Sequence, residues 1–330
     1  MAQSLESAAA PTRRRRRRLI WLASCGALLI LGTLLYRHYW HSHPMGSGPA
    51  GPEVASSDFS ETWSERRVLL VGLGDSVTAG YGAPGGHGYF DRLKQNPRDE
   101  FPEMQGVSLS SVFPNLVHQN LSISGSTSLE CLDSILPRLE RQDADTFGVV
   151  VITTGGNDII HNYGRTPPRE GAMYGSTLEQ ARPWIASFAE RLEAICDGID
   201  ERFPGGCQIF LANIYDPTDG VGDAFNAGLP PWSEGLALVA AYNGVIAETA
   251  SRRPNVHLVD MHGLFLGHGI HCLKFWSPHY HPDDPHYWYW ENLEDPNDRG
   301  YDALRRSFLI EMARVLPEAL REMPSTEPDP

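Results

Sequence analysis

Val68-Leu-Leu-Val-Gly-Leu-Gly-Asp-Ser-Val-Thr-Ala-Gly80 is the stretch on which the reading of this chain turns. An apolar run suited to a buried parallel strand stops abruptly at Gly74-Asp75-Ser76, and small residues follow. That pattern sets one serine at the C-terminal end of a first strand, the edge where open α/β sheets bind ligands. In Val149-Val-Val-Ile-Thr-Thr-Gly-Gly-Asn-Asp158 a second apolar strand ends in glycines and a side-chain amide. Two strand ends of one sheet then offer a hydroxyl and an amide donor to the same crevice. These are the parts that acyl transfer through a serine ester requires.

Working outward, strands are expected at 68–73, 114–121, 148–154, 208–214 and 256–260, and helices at 178–203, 234–252 and 302–321. In the first of these helices Trp184, Phe188, Leu192 and Ile195 recur at helical spacing. Such alternation predicts a parallel sheet covered on both faces. No internal repeat is visible. Two stretches resist regular assignment: 82–112, and 263–299, which is crowded with His, Pro, Trp, Tyr and Asp. A loop that long inside a compact domain is usually functional. Residues 161–177 read as a loop over the edge of the site.

The N-terminus differs in kind. Arg13 to Arg18 form an unbroken basic block, followed by the apolar run Leu19 to Tyr36. At helical rise that run spans roughly 27 Å, enough to cross a hydrocarbon core. The arginines predict a cytoplasmic segment at 1–18, a membrane anchor at 19–36, and everything beyond on the periplasmic or extracellular side. A cleaved export signal competes with the anchor, and Leu22-Ala-Ser-Cys25 resembles a lipoprotein cleavage box. Residues 37–66, rich in Gly, Pro and Ser, read as a flexible linker. They precede a domain at 67–322 and a disordered tail at 323–330.

Of 27 basic and 41 acidic residues, seven basic and one acidic lie in 1–37, so the remainder carries a formal charge near −20. That excludes nucleic acid as an expected partner and disfavours anionic lipid surfaces. Cys196 and Cys207 could pair across a short connection in an oxidising compartment, or remain as buried thiols. No Cys-x-x-Cys pattern points to zinc.

Gly74-Asp75-Ser76-Val-Thr-Ala-Gly80 resembles the first signature block of the SGNH (GDSL-type) hydrolases. Gly125, within Asn120-Leu-Ser-Ile-Ser-Gly-Ser-Thr127, resembles their second block, and Gly155-Gly156-Asn157-Asp158 their third. Order and spacing agree across 67–322. The resemblance implies a three-layer flavodoxin-like fold and an ester hydrolase with a Ser-His-Asp triad and no cofactor. Ser76 is then the nucleophile, and its own N–H, the Gly125 N–H and the Asn157 amide form the oxyanion hole. Asp75 and Asp158 would be structural.

The final block departs. The family ends in Asp-x-x-His-Pro-Asn-x-x-Gly before its last helix, whereas this chain has Asn292-Leu-Glu-Asp295-Pro296-Asn297-Asp-Arg-Gly300. Asp295 stands where the histidine belongs and Asn292 where the aspartate belongs. A carboxylate of ordinary pKa, about 4, is a poor base for a serine hydroxyl. Upstream, Asp283-Asp284-Pro285-His286 supplies Asp-x-x-His, so His286 is expected as the base with Asp283 orienting it. His271, His279 and His281 are the alternatives. His279-x-His281-x-Asp283 also admits a metal reading, which nothing else in the sequence demands. The aromatic cluster from Trp276 to Trp290 could stack on a sugar, line an acyl site, or simply form the wall of a long loop.

The expectation is a membrane-anchored, extracytoplasmic serine esterase acting on small-molecule, glycan or lipid esters. Two other readings stand beside it: an inactive binding protein of the same fold, motivated by Asp295, and an acyltransferase that uses the same serine. Acyl and alcohol specificity and oligomeric state are not encoded in any recognisable motif.

Overall fold

The computed structural model describes residues 13–321. The expected tail at 323–330 and the first twelve residues of the basic segment lie outside the described residues. Helix α1 (Arg13–His41) carries the arginine block and the apolar run in one piece. It is long and apolar enough to cross a membrane, and none of its residues is buried.

From Pro44 onward the chain forms a single compact unit. β1 (Arg67–Gly74) runs into α2 (Ser76–Ala79) and α3 (Tyr89–Lys94); α4 (Leu109–Val112) leads to β2 (Leu116–Asn120). α5 (Ser128–Glu130) precedes β3 (Thr146–Thr153), which is followed by α6 (Gly156–Ile160) and the long α7 (Leu178–Arg202). β4 (Cys207–Ala212), α8 (Gly235–Arg252), β5 (Val256–Val259), α9 (Met261–Phe265) and α10 (Asp298–Ala319) complete the order.

All five strands are parallel, in the order β2-β1-β3-β4-β5, the doubly wound flavodoxin-like arrangement. Along β3, Val149 and Val151 face the layer that holds Phe308 and Leu309 of α10. Val150 and Ile152 face the layer that holds Phe188 and Leu192 of α7. The period of two thus sends alternate side chains into two cores, and three layers result. Each predicted strand and long helix is present, with ends shifted by a few residues.

The strand order reverses between β1 and β3, so their C-terminal ends flank the crevice where such folds hold ligands. Gly74 ends β1 at φ +107, and a Cβ there would lie 1.8 Å from the Thr153 carbonyl oxygen. Only glycine lets the two strand ends approach so closely.

One expectation is corrected, and one open alternative is decided. Residues 44–66 are not a loose spacer, because Ala50, Val54 and Phe59 are buried in the core. Arg299 Nη1 donates to the carbonyls of Ser47, Gly48 and Pro49 at 2.8, 3.0 and 2.9 Å, and the Ala50 N–H donates to Asp302 at 3.0 Å. The segment is a strap, and the domain starts at Pro44 rather than at 67. Nor do Cys196 and Cys207 pair: both are buried thiols, and Cys207 Sγ donates to Asp200 at 3.3 Å.

Candidate active site

Ser76 is the first residue of α2, immediately past the β1 exit. Asp75 caps that helix, accepting from the Val77 N–H at 3.1 Å and from the Thr153 hydroxyl at 2.6 Å. Its own N–H donates to the Thr153 carbonyl at 3.1 Å. Asp75 therefore clamps the two strand ends together and fixes the serine on a rigid element. Burial pushes its carboxyl up to about 7, against those two hydrogen bonds and with Asp295 and Asp158 adding repulsion. Asp158 is likewise structural: fully buried, it accepts from the Ser128 N–H at 2.7 Å and hydroxyl at 2.5 Å.

The expected oxyanion donors come from three loops that meet at this edge. The Gly74 carbonyl accepts from the Ile123 N–H and the Ser126 hydroxyl, both at 2.9 Å, which docks the turn containing Gly125 onto the end of β1. Gly125 is at φ +82, a conformation suited to glycine, with open space where a side chain would project. Asn157, buried on α6, donates Nδ2 to the Ser126 carbonyl at 2.9 Å and so holds the same turn from the other side. The Ser76 N–H, at the first position of its helix, has no intrahelical acceptor.

Ser76 and Asn157 line a crevice of about 350 Å³. Its walls are mainly apolar, formed by Ile159, Ile214, Leu229, Trp232, Leu236 and Val239 among others. Tyr163, Arg165 and Tyr174 come from the loop at 161–177, which does border the site. That loop is pinned by Tyr174, whose hydroxyl donates to the Pro230 carbonyl at 2.6 Å. Glu291 to Glu294 close one side.

The base expected from spacing is not at the crevice. His286 Nδ1 hydrogen-bonds Asp284 at 2.5 Å, not Asp283, and its ring packs over Gly46 of the strap. Asp284 also accepts from Arg299 Nη2 at 2.6 Å, and Asp283 is exposed. His286 thus belongs to the strap-fastening network with Asp284, and neither it nor the exposed Asp283 lines the crevice with Ser76. His271 bonds Asp223 at 2.7 Å, and His281 bonds the Leu266 carbonyl at 3.0 Å. Among the described residues, no histidine lines the crevice. The loop aromatics are mostly wall: Tyr287, Trp288 and Tyr289 are buried, and His268 stacks on Trp288 with ring centroids 3.4 Å apart.

Asp295 follows the residues 291–294 that border the crevice and is 2% exposed. Asn292 Nδ2 donates to Asp295 Oδ2 at 2.6 Å, while Oδ1 is buried without a fixed donor. Asn297 then caps α10 by accepting from the Arg299 and Gly300 N–H groups at 3.0 and 3.1 Å. Burial raises the Asp295 pKa, with Ser76 and Asn292 opposing. Burial, followed by repulsion from Asp295, pushes Glu294 up to about 7.

Residues 73–289 match the GDSL-like Lipase/Acylhydrolase family. The chain belongs to that family. The matched region holds all three glycine-bearing blocks and ends before Asn292, where this member departs. The uncharacterized protein YpmR of Bacillus subtilis is 20% identical over 205 residues, 62% of this chain and 71% of that one. A lipolytic G-D-S-L family protein from Veillonella parvula is similar in structure at 13% identity and TM-score 0.46, over 75% of this chain and all of that one. An extracellular lipase from Streptomyces rimosus is similar at 18% identity and TM-score 0.44, over 75% of this chain and 99% of that one.

Proposed function

We propose that this GDSL-family member is a serine esterase, anchored by α1, whose crevice takes the acyl part of a carboxylic ester. The observation that carries the reading is the seating of Ser76. Its hydroxyl stands at a strand end inside an apolar crevice, with the Gly125 turn and Asn157 held beside it. Ser76 Oγ attacks the ester carbonyl, its proton passes to a neighbouring base, and the N–H groups of Ser76 and Gly125 with the Asn157 amide receive the oxyanion. The alkoxide leaves with that proton. Water then attacks the acyl-enzyme by the same route and restores the serine. Each oxyanion donor is worth about 10²–10³ in rate.

The basic block before α1 supports a cytoplasmic N-terminus with the esterase unit on the other side. The apolar lining supports an acyl group on a glycan, lipid or small alcohol more than a charged substrate. The experiment is hydrolysis of p-nitrophenyl acetate, butyrate and octanoate by the full-length protein in detergent. Turnover that Ser76→Ala lowers at least 10³-fold is expected; turnover unchanged in Ser76→Ala overturns the reading.

One observation favours a second reading, a ligand-binding member without turnover: no histidine lines the crevice among the described residues. That reading predicts no Ser76-dependent hydrolysis in any ester of the series.

A further inference from the structure

We infer that the crevice takes a medium-length acyl chain, of about eight carbons, and that Trp232 sets that length. The inference rests on the esterase reading above and adds the class of ester and the residue that selects it.

Topology gives the crevice a direction. Ser76 lines it from the end of β1, Asn157 and Ile159 from the segment after β3, and Ile214 from the segment after β4. Trp232 and Leu236 line it from the start of α8, which leaves this edge after β4 and packs against α7, β4 and β5. β1, β3 and β4 are consecutive in the sheet, so the crevice leads from the serine across β3 toward α8. Two strand spacings separate β1 from β4, about 10 Å. An extended chain advances about 1.2 Å per bond, so that distance holds roughly eight carbons.

Polarity follows the same direction. Asp75, Thr153 and Asn157 stand at the serine end, where the ester carbonyl belongs. Beyond β4, Leu229, Trp232, Leu236 and Val239 offer apolar surface. Polar side chains on the β4 side are already engaged. Asn213 Nδ2 donates to Asp260 at 2.7 Å, and its Oδ1 accepts from the His262 N–H at 2.6 Å. Asp216 accepts from the Thr218 N–H and hydroxyl at 2.8 and 2.7 Å and from the Gly220 N–H at 2.7 Å. Neither leaves an orphaned group facing a methylene chain.

Trp232 lies just before α8, on the side of the crevice farthest from β1, and its ring is fixed. Nε1 donates to the Ser176 carbonyl at 2.7 Å, and the indole packs on Tyr174 with centroids 4.6 Å apart. Tyr174 is itself tied to Pro230. Behind the indole lies Gly235, where a Cβ would come within 3.0 Å of the ring. The Leu178 N–H donates to Glu234 Oε2 at 2.8 Å and so fastens the start of α8 to that of α7. A ring held in this way measures chain length. Each methylene short of it is buried, and the next one overpacks against a wall that does not yield.

The test is the chain-length profile of kcat/KM for p-nitrophenyl esters from acetate to myristate, with the full-length protein in detergent. Wild type should gain about fourfold per buried methylene, peak near octanoate and fall beyond it. Trp232→Ala should raise the ratio of laurate to octanoate turnover by about tenfold or more. Trp232→Phe, which keeps a ring in place, should retain the wild-type maximum. Val239→Phe adds bulk at the same end and should move the maximum toward butyrate. Each readout is a ratio within one sample, so the fraction of folded protein does not enter it. If turnover depends on Ser76 but Trp232→Ala keeps the wild-type profile, or acetate is the best wild-type substrate, this inference fails while the esterase reading stands. If no ester of the series is hydrolysed through Ser76, the esterase reading fails and the inference with it.

Discussion

At the residue scale, the site depends on a few positions whose chemistry cannot be exchanged. Gly74 is the sharpest case. Alanine there would force its Cβ to 1.8 Å from the Thr153 carbonyl in a backbone conformation at φ +107. Strain of about 1–3 kcal/mol from the backbone alone, before the clash, is the expected cost. Gly74→Ala should therefore fall well below wild type in thermal unfolding, and a variant of equal stability would show that the β1 and β3 ends do not approach as described. His286 teaches the complementary lesson. Spacing alone pointed to it, because Asp-x-x-His is the pattern a triad uses, but Asp284 holds its ring, which packs over Gly46 of the strap, and no local pattern shows that contact.

At the element scale, periodicity and apolar runs made β1, β3, β4, α7, α8 and α10 legible, because their signals are local. The strap was not legible. Gly, Pro and Ser in 44–66 look like a spacer by composition, and the contacts that hold it come from Arg299 and Asp302, more than two hundred residues away. Its buried Ala50, Val54 and Phe59 are too sparse to form a period. Arg299 is 8% exposed and holds three strap carbonyls together with Asp284. Hydrogen bonds to a charged group contribute about 1.5–3 kcal/mol each. Arg299→Ala should expose 44–55 to limited proteolysis at protease levels that leave wild type intact. Equal cleavage of both proteins would restore the spacer reading.

At the scale of the whole molecule, stability should fall as pH rises from 5.5 to 8. Burial pushes Asp75 and Asp219 up to about 7, the latter against N–H donors from Gly267, Gly269 and His271, and Glu294 also reaches about 7. Unfolded, these carboxyls titrate near 4. Between those limits the folded protein binds more protons than the unfolded chain, so stability falls as pH rises toward 7. The acid excess beyond residue 37 adds repulsion in the same direction. Glu100 works the other way: burial opposes its ionisation, but Arg305 overrides this and holds it low. Its contribution is present above pH of about 4 and lost below. The melting temperature should accordingly be several degrees higher at pH 5.5 than at pH 8. A flat or rising melting temperature would contradict the burial assigned to these carboxyls. The central claim, that Ser76 is a working nucleophile, is tested most directly by treating the full-length protein with a fluorophosphonate and mapping the adduct by mass spectrometry. The account predicts one adduct, on Ser76 in the peptide that contains Gly74-Asp75-Ser76, absent from Ser76→Ala. No adduct, or one that persists in Ser76→Ala, would contradict it.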